Sequence, residues 1–170
     1  SFFTNGEFKV EKLIIPNNKY NELQDNLALF FTGISRISSD IASKLLKDLK
    51  LVEKKMKIIN SYVDKGINIL SDNDIDISDF GHLLNEYWHI KKSLNDSISN
   101  PEVDLIYDKA INAGALGGKL LGSGGGGFLL FYIKKEKIEK LKKALSPLVY
   151  VPIKFENEGS KIALYEPTGI

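Results

Sequence analysis

Between positions 114 and 127 the chain reads Gly-Ala-Leu-Gly-Gly-Lys-Leu-Leu-Gly-Ser-Gly-Gly-Gly-Gly, and it runs straight into the apolar segment Phe128-Leu129-Leu130-Phe131-Tyr132-Ile133. Ordering glycine is unfavourable by roughly 0.5–1 kcal/mol per residue relative to alanine in regular structure. So many glycines beside a buried strand make sense where backbone must approach something that side chains would obstruct. Close approach of backbone N–H groups to an anion, most often a phosphate, is the usual reason. A flexible linker is the bland alternative, but linkers are flanked by polar sequence and this stretch is bounded by apolar runs.

Two familiar phosphate loops are excluded by context. Residues 122–127 satisfy G-x-G-x-x-G, yet the dinucleotide fingerprint needs a strand before it and a helix after it. The order expected here is helix, loop, strand. A Walker A loop ends in Gly-Lys-Ser/Thr, and Phe128-Leu129 stands there instead. The acidic run Asp72-Asn73-Asp74-Ile75-Asp76 lacks the glycine and terminal glutamate of a calcium loop. His82 and His89 lie two helical turns apart and read as helix-surface residues, so no metal site is expected.

The elements that must hold the glycine stretch follow from periodicity. Asn5-Gly6 predicts a tight turn in a hairpin whose second arm runs to Ile15. Residues 26–31 form a short apolar run, a buried strand, ending at the polar turn Thr32-Gly33-Ile34-Ser35-Arg36. Ser38-Ser39-Asp40 can cap a long helix to about Leu70, with Ile41, Leu45, Leu49, Val52, Met56, Ile59 and Val63 at three- and four-residue spacing. A helix over 78–97 follows, with Ser78 as its cap. Another opens at Pro101 and reaches Gly114. Beyond the glycines come a strand over 127–133, a helix over 136–145, a strand over 149–155 and a strand over 161–165. The predicted class is α+β: a largely antiparallel sheet with helices packed on one face.

Composition narrows the function classes. At 170 residues the chain suits one domain with a sizeable core. Lys plus Arg total 23 against 22 Asp plus Glu, for a net charge of +1, which argues against a polybasic nucleic-acid binder. The absence of cysteine removes disulfides and thiolate metal sites. With no apolar run near the ~20 residues of a membrane span, and no signal-like start, a cytoplasmic protein without membrane partners is expected.

The segment Lys119-Leu120-Leu121-Gly122-Ser123-Gly124-Gly125-Gly126-Gly127-Phe128 resembles the third motif of the GHMP kinases, where a glycine-rich loop lies after a helix and before a strand. Within that superfamily the pattern is most similar to the D-glycero-D-manno-heptose 7-phosphate kinases. The supporting pieces are Phe31-Thr32-Gly33-Ile34-Ser35-Arg36, Trp88-His89-Ile90-Lys91, Ser99-Asn100-Pro101-Glu102-Val103-Asp104 and Gly114-Ala115-Leu116-Gly117-Gly118-Lys119.

The resemblance implies a ferredoxin-like GHMP kinase C-terminal domain over residues 1–170. It also implies ATP-dependent phosphorylation of the anomeric hydroxyl of a heptose 7-phosphate. ATP and Mg2+ would be bound mainly by an N-terminal domain whose Gly/Ser-rich loop and catalytic base do not occur in this sequence. Hence no catalytic residue is assigned here, the sugar phosphate and that N-terminal domain are the expected partners, and the chain alone is expected to be inactive.

On this reading Gly122, Ser123, Gly124, Gly125 and Gly126 line the substrate phosphate site, Ser123 adding a hydroxyl; a tight turn packing two domains together is the alternative. Arg36, the chain's only arginine, would bind the sugar 7-phosphate bidentately with Thr32 and Ser35 nearby, or else form a surface ion pair. Lys119 orients phosphate or caps the preceding helix, and Lys91 is a further candidate for the phosphate site. Trp88 reads as core rather than as a sugar-stacking platform. The competing class is a stand-alone, non-enzymatic module that binds a phosphorylated metabolite.

Overall fold

The computed structural model describes residues 5–34, 49–96, 98–122, 126–156 and 159. In chain order the elements are α1 (Asn17–Asp25), β1 (Leu27–Phe31), α2 (Leu49–Ser71), α3 (Ser78–Lys92), α4 (Pro101–Ala113), β2 (Gly117–Leu120), β3 (Phe128–Tyr132), a 3-10 turn (Lys135–Lys137) leading into α5 (Ile138–Ala144), and β4 (Val149–Val151). The four strands form one antiparallel sheet in the order β2-β3-β1-β4. The fold is α+β, as the periodicity predicts.

Strand alternation distributes the apolar residues. Ala28 and Phe30 of β1 join Leu129 and Phe131 of β3 in the main core, with Trp88 of α3, Val103, Ile106, Tyr107 and Ala110 of α4, and Leu141 of α5. Leu27 and Tyr132 enter a smaller cluster with Leu23 of α1, Ile69 and Leu70 of α2, and Ile77. Trp88 is completely buried, in keeping with the core reading.

Helix α4 shows how local sequence sets an element. The Asn100 side chain accepts a hydrogen bond from Val103 N (2.9 Å), and Pro101 sits at the first turn, where its missing N–H is harmless. At the other end Gly114 takes the left-handed conformation (φ 110°), its N–H satisfying the last carbonyls. The chain then turns directly into β2.

Several expectations are corrected. Apart from one bridge at Phe8, residues 7–15 form no strand, so the hairpin arm to Ile15 is not built within the described residues. Val10 and Ile14 stay more than four-fifths exposed, so among the described residues the alternating pattern finds no sheet face there to bury against. The cap of α3 is not Ser78: Asp76 Oδ1 accepts from Ser78 N (2.8 Å), two residues earlier. Strand β4 stops at Val151, before Pro152, which has no N–H to offer a ladder.

Two elements lie outside the pattern reading altogether. Helix α1 has a polar composition, and β2 was hidden inside the glycine stretch. The first arm of the expected hairpin, ahead of Asn5, the expected strand over 161–165 and the part of the long helix ahead of residue 49 fall outside the described residues.

Helix α1 is tied down by an unusual contact. Lys19, only 3% exposed, donates from Nζ to the carbonyls of Ile69 (2.6 Å) and Ile75 (2.7 Å), where α2 ends and turns toward α3. A cation is well placed against the negative end of a helix. Lys19→Met keeps the length and loses both bonds, leaving carbonyls without their donor. We expect a loss of about 2–3 kcal/mol, read as a lowered urea midpoint with unchanged m.

Candidate functional site

The glycine stretch is not one loop. Gly117 and Gly118 belong to β2, which pairs with β3 from Gly117↔Tyr132 to Leu120↔Leu129. The ladder ends where Leu121 N donates to Phe128 O (2.8 Å), so the loop proper is the 121–127 tip of a β-hairpin. Ser123, Gly124 and Gly125 lie outside the described residues, as do Ser35 and Arg36. Thr32, Lys91, Lys119, Gly122 and Gly126 are described, and all belong to one end of the sheet or to the helix beside it.

Two supports fix the hairpin. The first is close packing against α3: a Cβ on Gly117 would meet Gly81 O at 2.1 Å and Asn85 N at 2.6 Å. Tyr107 of α4 bolts this contact, its hydroxyl donating to Asn85 Oδ1 (2.8 Å) and accepting from Gly118 N (3.1 Å). Burial pushes that phenol up to about 12, so it remains a neutral donor.

The second support joins the loop's return to the segment after β1. Thr32 N donates to Gly127 O (2.8 Å) and Gly127 N to Ile34 O (2.8 Å). The Thr32 hydroxyl also donates to Gly127 O (2.8 Å), while Ile34 N and Gly127 N lie 3.2 Å from its oxygen. Its proton is thereby used inside the protein, and Thr32 serves as a fastener of the glycine loop. Thr32→Val is expected to destabilise by about 1 kcal/mol, measured by thermal unfolding. The turn 32–34 also comes so near the loop that a Cβ on Gly126 would fall 2.3 Å from Ile34 O.

Two cations converge on the other side of the hairpin. Lys119 points from β2 to the ring of Tyr87 on α3, its Nζ 4.8 Å from the centroid. Lys91, one turn further along α3, lies 5.9 Å from the same centroid and 3.5 Å from Gly122 O, the outer limit of a hydrogen bond. Burial pushes the Lys119 ammonium below the ordinary lysine value. Burial, and after it the charge of Lys119, does the same to Lys91. Neither ammonium forms an ion pair among the described residues. Lys119 stands half-buried on β2 with its Nζ over the Tyr87 ring, and no hydrogen bond from it to a carbonyl of the preceding helix is formed among the described residues.

Lys119 and Tyr87 also line one wall of a cavity of about 330 Å³ between α2 and α3, otherwise apolar, with Val63, Ile67 and Leu83. Pattern reading of the sequence missed Tyr87, Asn85 and Tyr107. Tyr87 sits four residues before Lys91, so an aromatic and a cation at i,i+4 was the available signal. Its link to Lys119 depends on packing between α3 and β2, which no local spacing encodes.

Comparison with known proteins shows the family and the fold. Residues 41–150 match the family described as "GHMP kinases C terminal". The D-glycero-alpha-D-manno-heptose 7-phosphate kinase of Campylobacter jejuni is 34% identical over 148 residues, covering 85% of this chain and 42% of that protein. The mevalonate kinase of Methanocaldococcus jannaschii is 31% identical over 139 residues, covering 79% of this chain and 43% of its own. A crystal structure of a mevalonate kinase superposes with a TM-score of 0.65 at 24% identity, covering 86% of this chain and 44% of that one, a likeness of fold. The chain spans less than half the length of these relatives. Among the described residues no helix is long and apolar enough to cross a membrane.

Proposed function

The chain belongs to the GHMP kinases through their C-terminal domain, and on that premise we propose that it is the C-terminal half of an ATP-dependent heptose 7-phosphate kinase. The γ-phosphoryl group of ATP would pass to the anomeric hydroxyl of D-glycero-D-manno-heptose 7-phosphate, giving the 1,7-bisphosphate and ADP. The observation that carries the reading is the pair of half-buried ammoniums, Lys91 and Lys119, without acidic partners among the described residues at the entry to a glycine-rich hairpin. The 34% identity to a heptose 7-phosphate kinase supports the choice of sugar.

The residues fit a phosphoryl group in their chemistry. Phosphoryl transfer is mostly positioning and electrostatic stabilisation of oxygens, which cations and backbone N–H groups supply. In this reading Lys119 and Lys91 offset charge on phosphate, while Gly122, Ser123, Gly124, Gly125 and Gly126 offer a backbone with little side-chain obstruction. Thr32 holds the loop's return. Arg36, with Ser35 beside it in sequence, takes the sugar 7-phosphate.

When bound, ATP would supply the transferable phosphoryl group and Mg2+ would offset charge on the phosphate oxygens. The reading assigns both mainly to an N-terminal domain. No group of three or more His, Asp or Glu side chains among the described residues is placed to hold a metal ion.

The test compares the 170-residue chain alone with the same chain joined to an N-terminal GHMP kinase domain, each given ATP, Mg2+ and heptose 7-phosphate. The joined protein should form ADP only in the presence of the sugar, and the chain alone should form none. Tight binding of the sugar phosphate by the chain alone, with no turnover in the joined form, would replace the kinase reading by a ligand-binding module. In the joined enzyme Arg36→Lys should raise the sugar KM at least tenfold, because a guanidinium fork is lost; an unchanged KM would remove Arg36 from the site.

A further inference from the structure

We propose that Tyr87 is a positioning residue for the anion site: its ring gathers the Lys119 ammonium to that of Lys91, which reaches Gly122 O, so that the two present their positive charges to one phosphate. The inference rests on the reading of this end of the hairpin as a phosphate site, and it adds the device that assembles it.

Two ammoniums brought together repel, and Lys119 lowers the tendency of Lys91 to hold its proton. Long lysine side chains relieve such repulsion by swinging apart into water, unless something attractive lies between them. Among the described residues no carboxylate pairs with either one. The contacts they do share are with Tyr87, at 4.8 Å from Lys119 Nζ and 5.9 Å from Lys91 Nζ to the ring centroid. Both distances lie within the range over which the negative face of an aromatic ring attracts a cation. Burial pushes the phenol up, so the group stays neutral and acts through its ring rather than as a phenolate. The Tyr87 backbone is fixed within α3, and α3 is locked to β2 by the Gly81–Gly117 approach. The ring is therefore a rigid anchor for two flexible cations, set between the helix bearing Lys91 and the strand bearing Lys119.

The roles of ring and hydroxyl separate by substitution. Inorganic phosphate is titrated into the 170-residue chain while the lysine side-chain 13Cε signals are followed by NMR. Tyr87→Phe keeps the ring and should retain binding. Tyr87→Leu should weaken it about fivefold, in line with the loss of two cation–ring contacts, and should lower the Lys119 titration midpoint, because the ring favours the charged form. If Tyr87→Leu fails to fold, 3,4,5-trifluorophenylalanine at position 87 keeps the shape and drains the ring face; it should bind phosphate more weakly than Phe.

Equal phosphate affinity for the Leu or trifluoro variant and for Phe overturns the role of Tyr87. In that case Lys119→Met still weakens binding, and the phosphate site stands. If Lys91→Met and Lys119→Met both leave phosphate affinity unchanged, the site reading itself falls, and the inference with it.

Discussion

Gly117→Ala is expected to destabilise the folded chain by about 3 kcal/mol or more, the upper range for a single substitution. The added Cβ would lie 2.1 Å from Gly81 O and 2.6 Å from Asn85 N, both backbone atoms of α3. Neither can rotate away as a side-chain tip would. Relief requires the whole helix to withdraw from β2, which also pulls Asn85 from the Tyr107 hydroxyl that holds Gly118. Overpacking relieved only by backbone movement commonly costs 1–3 kcal/mol, and the broken hydrogen bonds add to it. Gly66→Ala is the control. It lies within α2, where a Cβ would make only ordinary contact, 3.6 Å from Leu83 Cδ2. There alanine should stabilise by up to about 1 kcal/mol through helix propensity. Thermal unfolding of the two variants should thus move in opposite directions; parallel shifts would mean that the α3–β2 approach is not tight.

That contact explains why part of the architecture was legible in the sequence and part was not. Helices α2, α3 and α4 announce themselves through periodicity, and α4 also through Asn100, Pro101 and Gly114 at its ends. Strands β1 and β3 are short apolar runs bounded by turn residues. In β2 both opening positions are glycine, so the side-chain alternation that marks a strand is missing. Both glycines serve packing: at Gly117 the demand comes from α3, more than thirty positions upstream, and at Gly118 from Leu130 O and the Phe131 ring of β3.

Helix α1 was invisible for a related reason. Its contributions to burial include a lysine, Lys19, whose placement depends on carbonyls of α2 and the turn after it. In the candidate site, the resemblance located the hairpin loop and named Lys119 and Lys91. The structure changes the part assigned to Thr32, whose hydroxyl proton goes to Gly127 O, and introduces Tyr87.

Lys119→Met should separate binding from stability. In an enzyme completed by an N-terminal domain, kcat/KM should fall at least about a hundredfold, the scale on which a single electrostatic contact to a reacting group acts. The folded chain, however, should be no less stable, and could gain up to about 1 kcal/mol. Burial disfavours charge on Lys119, burial and then the charge of Lys119 disfavour it on Lys91, and no described carboxylate offsets them. The Tyr87 ring returns part of that penalty, and water around the half-exposed ammonium screens the remainder, so the gain is small.

The pH dependence carries the same signature with a definite sign. The folded state holds the Lys119 proton less tightly than the unfolded chain does. Between the depressed folded value and the ordinary lysine value, the unfolded state therefore binds more protons, and stability rises with pH across that window. Lys119→Met should flatten the rise. Phosphate affinity should run the other way in the wild-type chain, falling as pH climbs through the depressed value, earlier than for an ordinary lysine. A variant that lost activity and stability together would mark Lys119 as a structural residue instead of a charge kept against folding for the sake of a phosphate.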